Sequence, residues 1–245
     1  MTTSDTAANP KPFWLSDNFA PVFSETTEHN LSVTGAIPTE LKGRYFRNGA
    51  NPPSGKSEDW FLACGMIHGV ELDGGKATWY RNRYVQTPLL EEETPSQESR
   101  MKLENSIANT HIVGHAGKIL ALAELSLPIE VSKDLETHGP YTFDGKLKAN
   151  MTAHPKICPV TGEMLFFGYS FMPPFLTYHR ASASGELIQT EIIDVKGGTM
   201  AHDFNITENF VIFMDLPIVF DMKLRMEGGL GIRFDEEYGA RLGIM

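Results

Sequence analysis

Two histidines, His154 and His202, sit in settings that would let them share one chemistry. Neutral imidazole is a good ligand for Fe, Zn, Cu and Ni, so a converging pair points to a metal centre without choosing the metal. His154 lies in Thr152-Ala153-His154-Pro155-Lys156. Pro155 has no N–H and drives its predecessor toward extended backbone, which predicts His154 at a strand entrance rather than in a helix. His202 opens the run His202-Asp203-Phe204-Asn205-Ile206. Followed by Phe210-Val211-Ile212-Phe213, this predicts two strands around a Thr207-Glu208-Asn209 turn. A single histidine beside an apolar strand is more often structural than a ligand; the spacing of this pair is what raises its standing. A triad of two histidines and one carboxylate would need Asp203 beside His202. Neighbouring residues in a strand point to opposite faces, so Asp203 is expected to face away from whatever His202 binds.

The elements that must position these histidines follow from the turns. Asp73-Gly74-Gly75 separates Val70–Leu72 from Ala77–Tyr80, and His115-Ala116-Gly117 separates Thr110–Val113 from Ile119–Leu122. Pro159–Gly162 precedes Met164–Phe167, and Thr207–Asn209 completes the series. Marks at Gly74, Gly117, Gly162 and Thr207 recur at intervals of 43, 45 and 45 residues. A strand-turn-strand period of this length is that of a four-stranded propeller blade. Ser184-Gly185 and Gly228-Gly229 fall near the middle of their periods, where a second hairpin belongs. The predicted fold is therefore all-β: an extended arm over residues 1–30, then a partial β-propeller of about four blades over residues 31–245. Leu31–Gly35 is read as strand and turn, Asn48-Gly49 as a turn, and the acidic stretch from Glu91 to Leu103 as a loop. His154 and His202 are 48 residues apart, close to one period, and each opens a blade's first strand. That strand lines the central channel of a propeller, so the two imidazoles are expected to converge on the axis.

Composition removes other functions. With 21 Lys and Arg against 31 Asp and Glu, the net charge of -10 disfavours a nucleic-acid partner, which needs clustered cations. Cys64 and Cys158 make no disulfide framework, which suggests a cytoplasmic protein, and Cys158 is expected to be a small buried thiol. No apolar run approaches the roughly 18 residues of a membrane span, and residues 1–12 read as neither signal nor anchor. Peripheral membrane contact stays compatible. No Ser/His/Asp set or paired-carboxylate site is visible.

From about Leu31 onward the chain resembles the carotenoid cleavage oxygenases, a family that includes the stilbene-cleaving dioxygenases. The resemblance rests on motifs in order: Gly43-Arg-Tyr-Phe-Arg-Asn-Gly-Ala-Asn-Pro52, Gly65-Met-Ile-His-Gly-Val70, Arg81-Asn-Arg-Tyr-Val-Gln-Thr87 and Asn109-Thr110. Leu120-Ala-Leu-Ala-Glu124, Leu135-Glu-Thr137, Thr152–Lys156 and His202-Asp-Phe204 continue it. The resemblance implies a seven-bladed propeller and one Fe(II) on the axis, held by four histidines. His154 and His202 match the first two ligands, and Glu124 matches a glutamate that holds the outer nitrogen of a ligand. The other two ligand motifs lie in the second half of family proteins and have no match here. His29, His68, His111, His115, His138 and His179 match no ligand motif; His68 reads as structural, and the last four are expected at the surface. Cys64 stands where the family often has an acidic residue. The implied activity is O2-dependent cleavage of a C=C bond in a carotenoid, apocarotenoid or stilbene-type substrate, with no catalytic residue beyond the metal ligands. The chain would be the N-terminal half of such an enzyme, with little activity alone. Three alternatives remain at this point: a kelch- or WD-type interaction propeller, a propeller hydrolase or lactonase using Ca2+ or Zn2+, and an inert truncated product.

Overall fold

Strand formation follows the apolar, β-branched and aromatic runs between glycine-marked turns. The computed structural model describes residues 11–92, 96–227 and 231–245. The first sheet contains β1 (Thr27–His29), β2 (Gly43–Ala50), β3 (Gly65–Asp73) and β4 (Lys76–Tyr84), in the order β1-β4-β3-β2. The second is a simple meander of β5 (His111–His115), β6 (Lys118–Leu122), β7 (Ile129–Val131) and β8 (Thr137–Pro140). The third repeats it with β9 (Lys156–Ile157), β10 (Met164–Tyr169), β11 (Leu176–Ala181) and β12 (Leu187–Ile192). β13 (Phe204–Ile206) and β14 (Val211–Asp215) begin the fourth, β15 (Ile218–Phe220) and β16 (Ile232–Phe234) form a separate pair, and β17 (Arg241–Ile244) returns to β14. Every strand pairing is antiparallel. Among the described residues helix is confined to short segments: two 3-10 turns at Phe13–Leu15 and Asp17–Phe19, then α1 (Pro88–Glu91), α2 (Gln97–Arg100) and α3 (Met222–Met226).

The sheets stack through three clusters, one per junction. Ile67 on β3 meets Ala121, Ile129 and Val131 of the second sheet. Leu120 and Leu122 meet Met164, Phe166 and Ala181 of the third. Phe167, Tyr169, Leu176 and Tyr178 then meet Phe204, Val211 and Phe213 of the fourth. Phe166 and Phe167 belong to different clusters because successive residues of a strand face opposite ways. β10 is thus covered on both faces, which explains its unbroken apolar sequence.

The periodic turns occur as expected. Ala116 and Gly117 both adopt positive φ, 49° and 77°, the conformation that joins β5 to β6 in a tight hairpin. Gly228-Gly229 lies outside the described residues. Other expectations are corrected. Asn48-Gly49 is no turn: both residues sit inside β2, opposite Ile67 and Met66. The Asn48 amide donates instead to the carbonyls of Ala108 and His111, so a tertiary role replaces the turn role. Leu31–Val33 forms no strand, whereas Thr27–His29, assigned to the arm, pairs with β4. The acidic stretch read as loop includes α2. Cys158 is half-buried in the turn before β10 rather than sequestered. Hydrogen bonds from Thr161, and then from the Val160 backbone, hold its thiol below the usual pKa.

Two histidines expected at the surface are buried. His115 bonds through Nε2 to the Gly162 carbonyl at 3.0 Å, linking the turns of the second and third sheets. His179 is 1% exposed, bonded to Thr190 and Thr177 at 3.0 Å each and stacked 5.0 Å from Phe166. Burial pulls its pKa from 6.5 down to about 4. A histidine depressed in this way folds neutral, while the unfolded chain takes up a proton below pH 6.5. Its contribution to stability is therefore complete above 6.5 and is lost as pH falls toward 4. The loss should reach roughly 3 kcal/mol. Urea titrations between pH 4 and 7 should show this slope in the native chain and lack it in His179→Gln; equal slopes would refute it.

Candidate metal centre

The two histidines of interest each lie in the coil just before the edge strand that opens a sheet, His154 before β9 and His202 before β13. Their Nε2 atoms are 3.1 Å apart, and the rings meet at 74° with centroids separated by 4.5 Å. Glu124 follows β6 and projects from the second sheet. Its Oε1 lies 3.3 Å from His202 Nδ1 and also accepts the Ala153 N–H at 3.4 Å. One carboxylate thus touches the imidazole of His202 and the backbone beside His154. The next residue, Leu125, takes a φ of 63°, which turns the chain sharply after Glu124. Among the described residues, Glu124, His154 and His202 have their ligand atoms within 4.8 Å of one another.

Electrostatics separate the roles of the pair. Burial, and then the neighbouring His202, push the pKa of His154 down, which keeps it neutral. The hydrogen bond to Glu124 raises that of His202 against the opposing effect of burial. Acceptance by Glu124 places the His202 proton on Nδ1 and leaves the Nε2 lone pair facing His154. The donor set fits a metal ion. Two imidazole nitrogens bound at about 2.0–2.1 Å to one ion, at an angle between octahedral and tetrahedral, stand roughly 3 Å apart. The second oxygen of Glu124 is buried without a close hydrogen bond, although the Tyr169 phenol, whose ionisation Glu124 opposes, interacts with this carboxylate.

Asp203 is absent from this cluster, but it and His202 both lie in the coil before β13, so strand alternation is not the reason. It pairs with Lys156 at 2.7 Å. Burial alone would raise its pKa, but the hydrogen bonds from Lys156 and the Phe204 N–H hold it below the usual carboxylate range. Cys64 is half-buried near the Leu89 carbonyl, its thiol pushed up by burial, and lies outside the histidine group. His68 bonds to the Tyr80 hydroxyl at 2.8 Å, a structural contact. His138 is exposed, while His29 lies on β1.

His111 was missed by sequence reasoning. Its Nδ1 approaches the Ala153 carbonyl at 2.8 Å, and its ring lies 6.1 Å from that of His154 at 28°. The only local signal was its position directly after Asn109-Thr110. Tyr169 was missed as well; it is 3% exposed, and burial together with the nearby Glu124 raises its pKa well above the phenol range.

Stacked antiparallel sheets whose opening coils bring two imidazoles and a carboxylate together define an all-β protein with a candidate metal centre. The chain belongs to the retinal pigment epithelial membrane protein (RPE65) family, whose sequence profile it matches over residues 19–245. It is 40% identical over 231 residues to a carotenoid cleavage oxygenase of Mycobacterium tuberculosis, covering 90% of this chain and 46% of that protein. It is 39% identical over 269 residues to carotenoid 9,10(9',10')-cleavage dioxygenase 1 of Arabidopsis thaliana, covering 95% of this chain and 50% of that protein. The crystal structure of a Pseudomonas brassicacearum lignostilbene dioxygenase is similar with a TM-score of 0.80 and 30% identity, over 93% of this chain and 52% of that one. The chain therefore spans about half the length of the proteins it matches.

Proposed function

We propose that this chain supplies the first half of a non-haem Fe(II) dioxygenase that cleaves a C=C bond of a carotenoid, apocarotenoid or stilbene-type substrate. The observation that carries the reading is the pair of Nε2 atoms 3.1 Å apart with Glu124 behind His202. Three of the similar proteins, named for cleaving carotenoids and lignostilbene, support the substrate class. In this reading the sheets are blades of a seven-bladed propeller. The repeated meander order and the stacking of consecutive sheets support that architecture. An apolar small-molecule substrate and O2 are its partners, and its place is the cytoplasm, consistent with two free cysteines. Among the described residues no helix is long and apolar enough to cross a membrane.

Bound iron would supply O2 activation, and the remaining work belongs to the chain. His154 and His202 would hold the ion through Nε2, with two further histidines completing the set implied by the family. Glu124 fixes the tautomer and ring angle of His202 and ties Ala153 into the same network, so both donors arrive oriented. Cleavage of an apolar double bond requires placement more than proton transfer, which suits a site without a general acid or base.

Glu124→Gln tests the assignment. Gln can still occupy the space but withdraws the charge from the His202 proton. Affinity of the chain for Fe(II), measured by anaerobic equilibrium dialysis, should fall by roughly 10–100-fold. Unchanged binding would reduce Glu124 to a structural residue and leave the imidazole pair to carry the centre alone.

A further inference from the structure

Asp203 and Lys156 are left without a role by the metal-centre reading, although each lies within two residues of a histidine. Lys156 opens β9 and Asp203 directly precedes β13; they are 47 positions apart and meet at 2.7 Å. The side chains of Lys156 and Asp203 are 29% and 42% exposed, so the pair is neither deeply buried nor free in solvent. Asp203 Oδ1 also accepts the Phe204 N–H at 2.8 Å, which fixes the carboxylate against its own backbone. The Lys156 ammonium lies 5.7 Å above the Phe204 ring, and Phe204 is completely buried. Both ends of the ion pair are therefore anchored to rigid structure, unlike an ordinary surface pair.

The surroundings explain why such an anchor is needed. Two imidazole nitrogens 3.1 Å apart repel through their lone pairs unless a proton or a cation lies between them. Other direct ties between the two coils are long: the Thr152 hydroxyl reaches the His202 carbonyl at 3.4 Å, and Glu124 bridges at 3.4 and 3.3 Å. The Lys156–Asp203 contact is shorter than any of these. Ala153 of one coil joins the core between the second and third sheets and Ala201 of the other packs against the core between the third and fourth, so each coil rests on a different cluster and neither cluster ties the two coils to each other.

We propose that Lys156 and Asp203 are a positioning pair, a clamp between two sheets that sets the separation of His154 and His202. The proposal rests on the metal-centre reading. Without the clamp the two coils spread, and the ion must then collect its donors at the expense of their freedom, which lowers affinity rather than stability.

The test uses the whole chain and Co(II) alone, followed by its visible absorption and by equilibrium dialysis. Lys156→Met and Asp203→Asn should each weaken Co(II) binding by roughly threefold to fivefold, the range available to a partly exposed but anchored ion pair. The double variant should bind no worse than either single one, because one contact is removed in all three. Lys156→Arg should retain wild-type affinity and the wild-type Co(II) spectrum, and thermal midpoints should be nearly unchanged across the set. Wild-type affinity in both single variants, or additive losses in the double, would overturn the clamp while leaving the metal centre standing. His202→Ala serves as the control: Co(II) binding equal to wild type there would overturn the metal reading, and the clamp with it.

Discussion

His202→Ala should lower the affinity of the chain for Fe(II) or Co(II) by more than about 100-fold, beyond what loss of a group that only orients a ligand costs. The loss exceeds that of Glu124→Gln because a ligand atom disappears rather than the group that orients it. It also exceeds that of any clamp variant, where both imidazoles remain. His154→Ala should behave alike, since the two nitrogens at 3.1 Å act as one chelating pair and either alone is a monodentate imidazole. The double variant should add little to either single one. Calorimetric titration of the four proteins checks this, with secondary structure followed by circular dichroism. Both coils precede their strands and neither histidine is buried, so the fold should survive the change. Retention of binding in either single variant would exclude a shared ion.

Much of this arrangement was legible in the sequence because its determinants are local. Glycines at 74, 117, 162 and 185 all adopt positive φ, and a residue needed for that backbone state marks a turn wherever it falls. Their regular recurrence carried the all-β architecture, and the place of each histidine within the repeat carried the pair. What stayed hidden depends on partners distant in sequence. Asn48-Gly49 has the composition of a hairpin turn, yet the Asn48 amide donates to the carbonyls of Ala108 and His111, 60 and 63 positions away, and the segment remains extended. The position of His179 next to an apolar strand predicts nothing about which side it faces; two threonine hydroxyls and the Phe166 ring make its burial tolerable. Asp203 illustrates the limit most directly. Strand alternation is expected to turn it away from the imidazoles, yet Asp203 and His202 both lie in coil before β13, and only the folded chain brings Lys156 to meet Asp203. The link from Glu124 to His202 came through the family resemblance, since nothing local connects residues 78 positions apart.

Phe166→Ala should destabilise the chain by about 3–5 kcal/mol, the usual cost of emptying a fully buried aromatic site. Phe166 is 0% exposed on β10, with its ring 5.4 Å from that of Phe143 and 5.0 Å from that of His179. Sheets flank it on both sides, so the surrounding backbone cannot collapse into the space without breaking strand pairing. Phe166→Leu, which leaves most of the volume filled, should cost roughly 1 kcal/mol. The same cluster contains Met151 and Ala153, the latter adjoining His154, so the cavity should also loosen the coil that presents the imidazole. Co(II) affinity should therefore fall in Phe166→Ala at temperatures where the protein is still folded, though far less than in His202→Ala. Urea midpoints measured at constant m-value report the first effect, and dialysis at low temperature reports the second. A stability loss below about 1 kcal/mol would show that the junction between the second and third sheets repacks freely, contrary to the two-sided burial of β10. A full stability loss with unaltered Co(II) affinity would show instead that the coil carrying His154 is held by Glu124, His111 and Lys156, independently of the core beneath it.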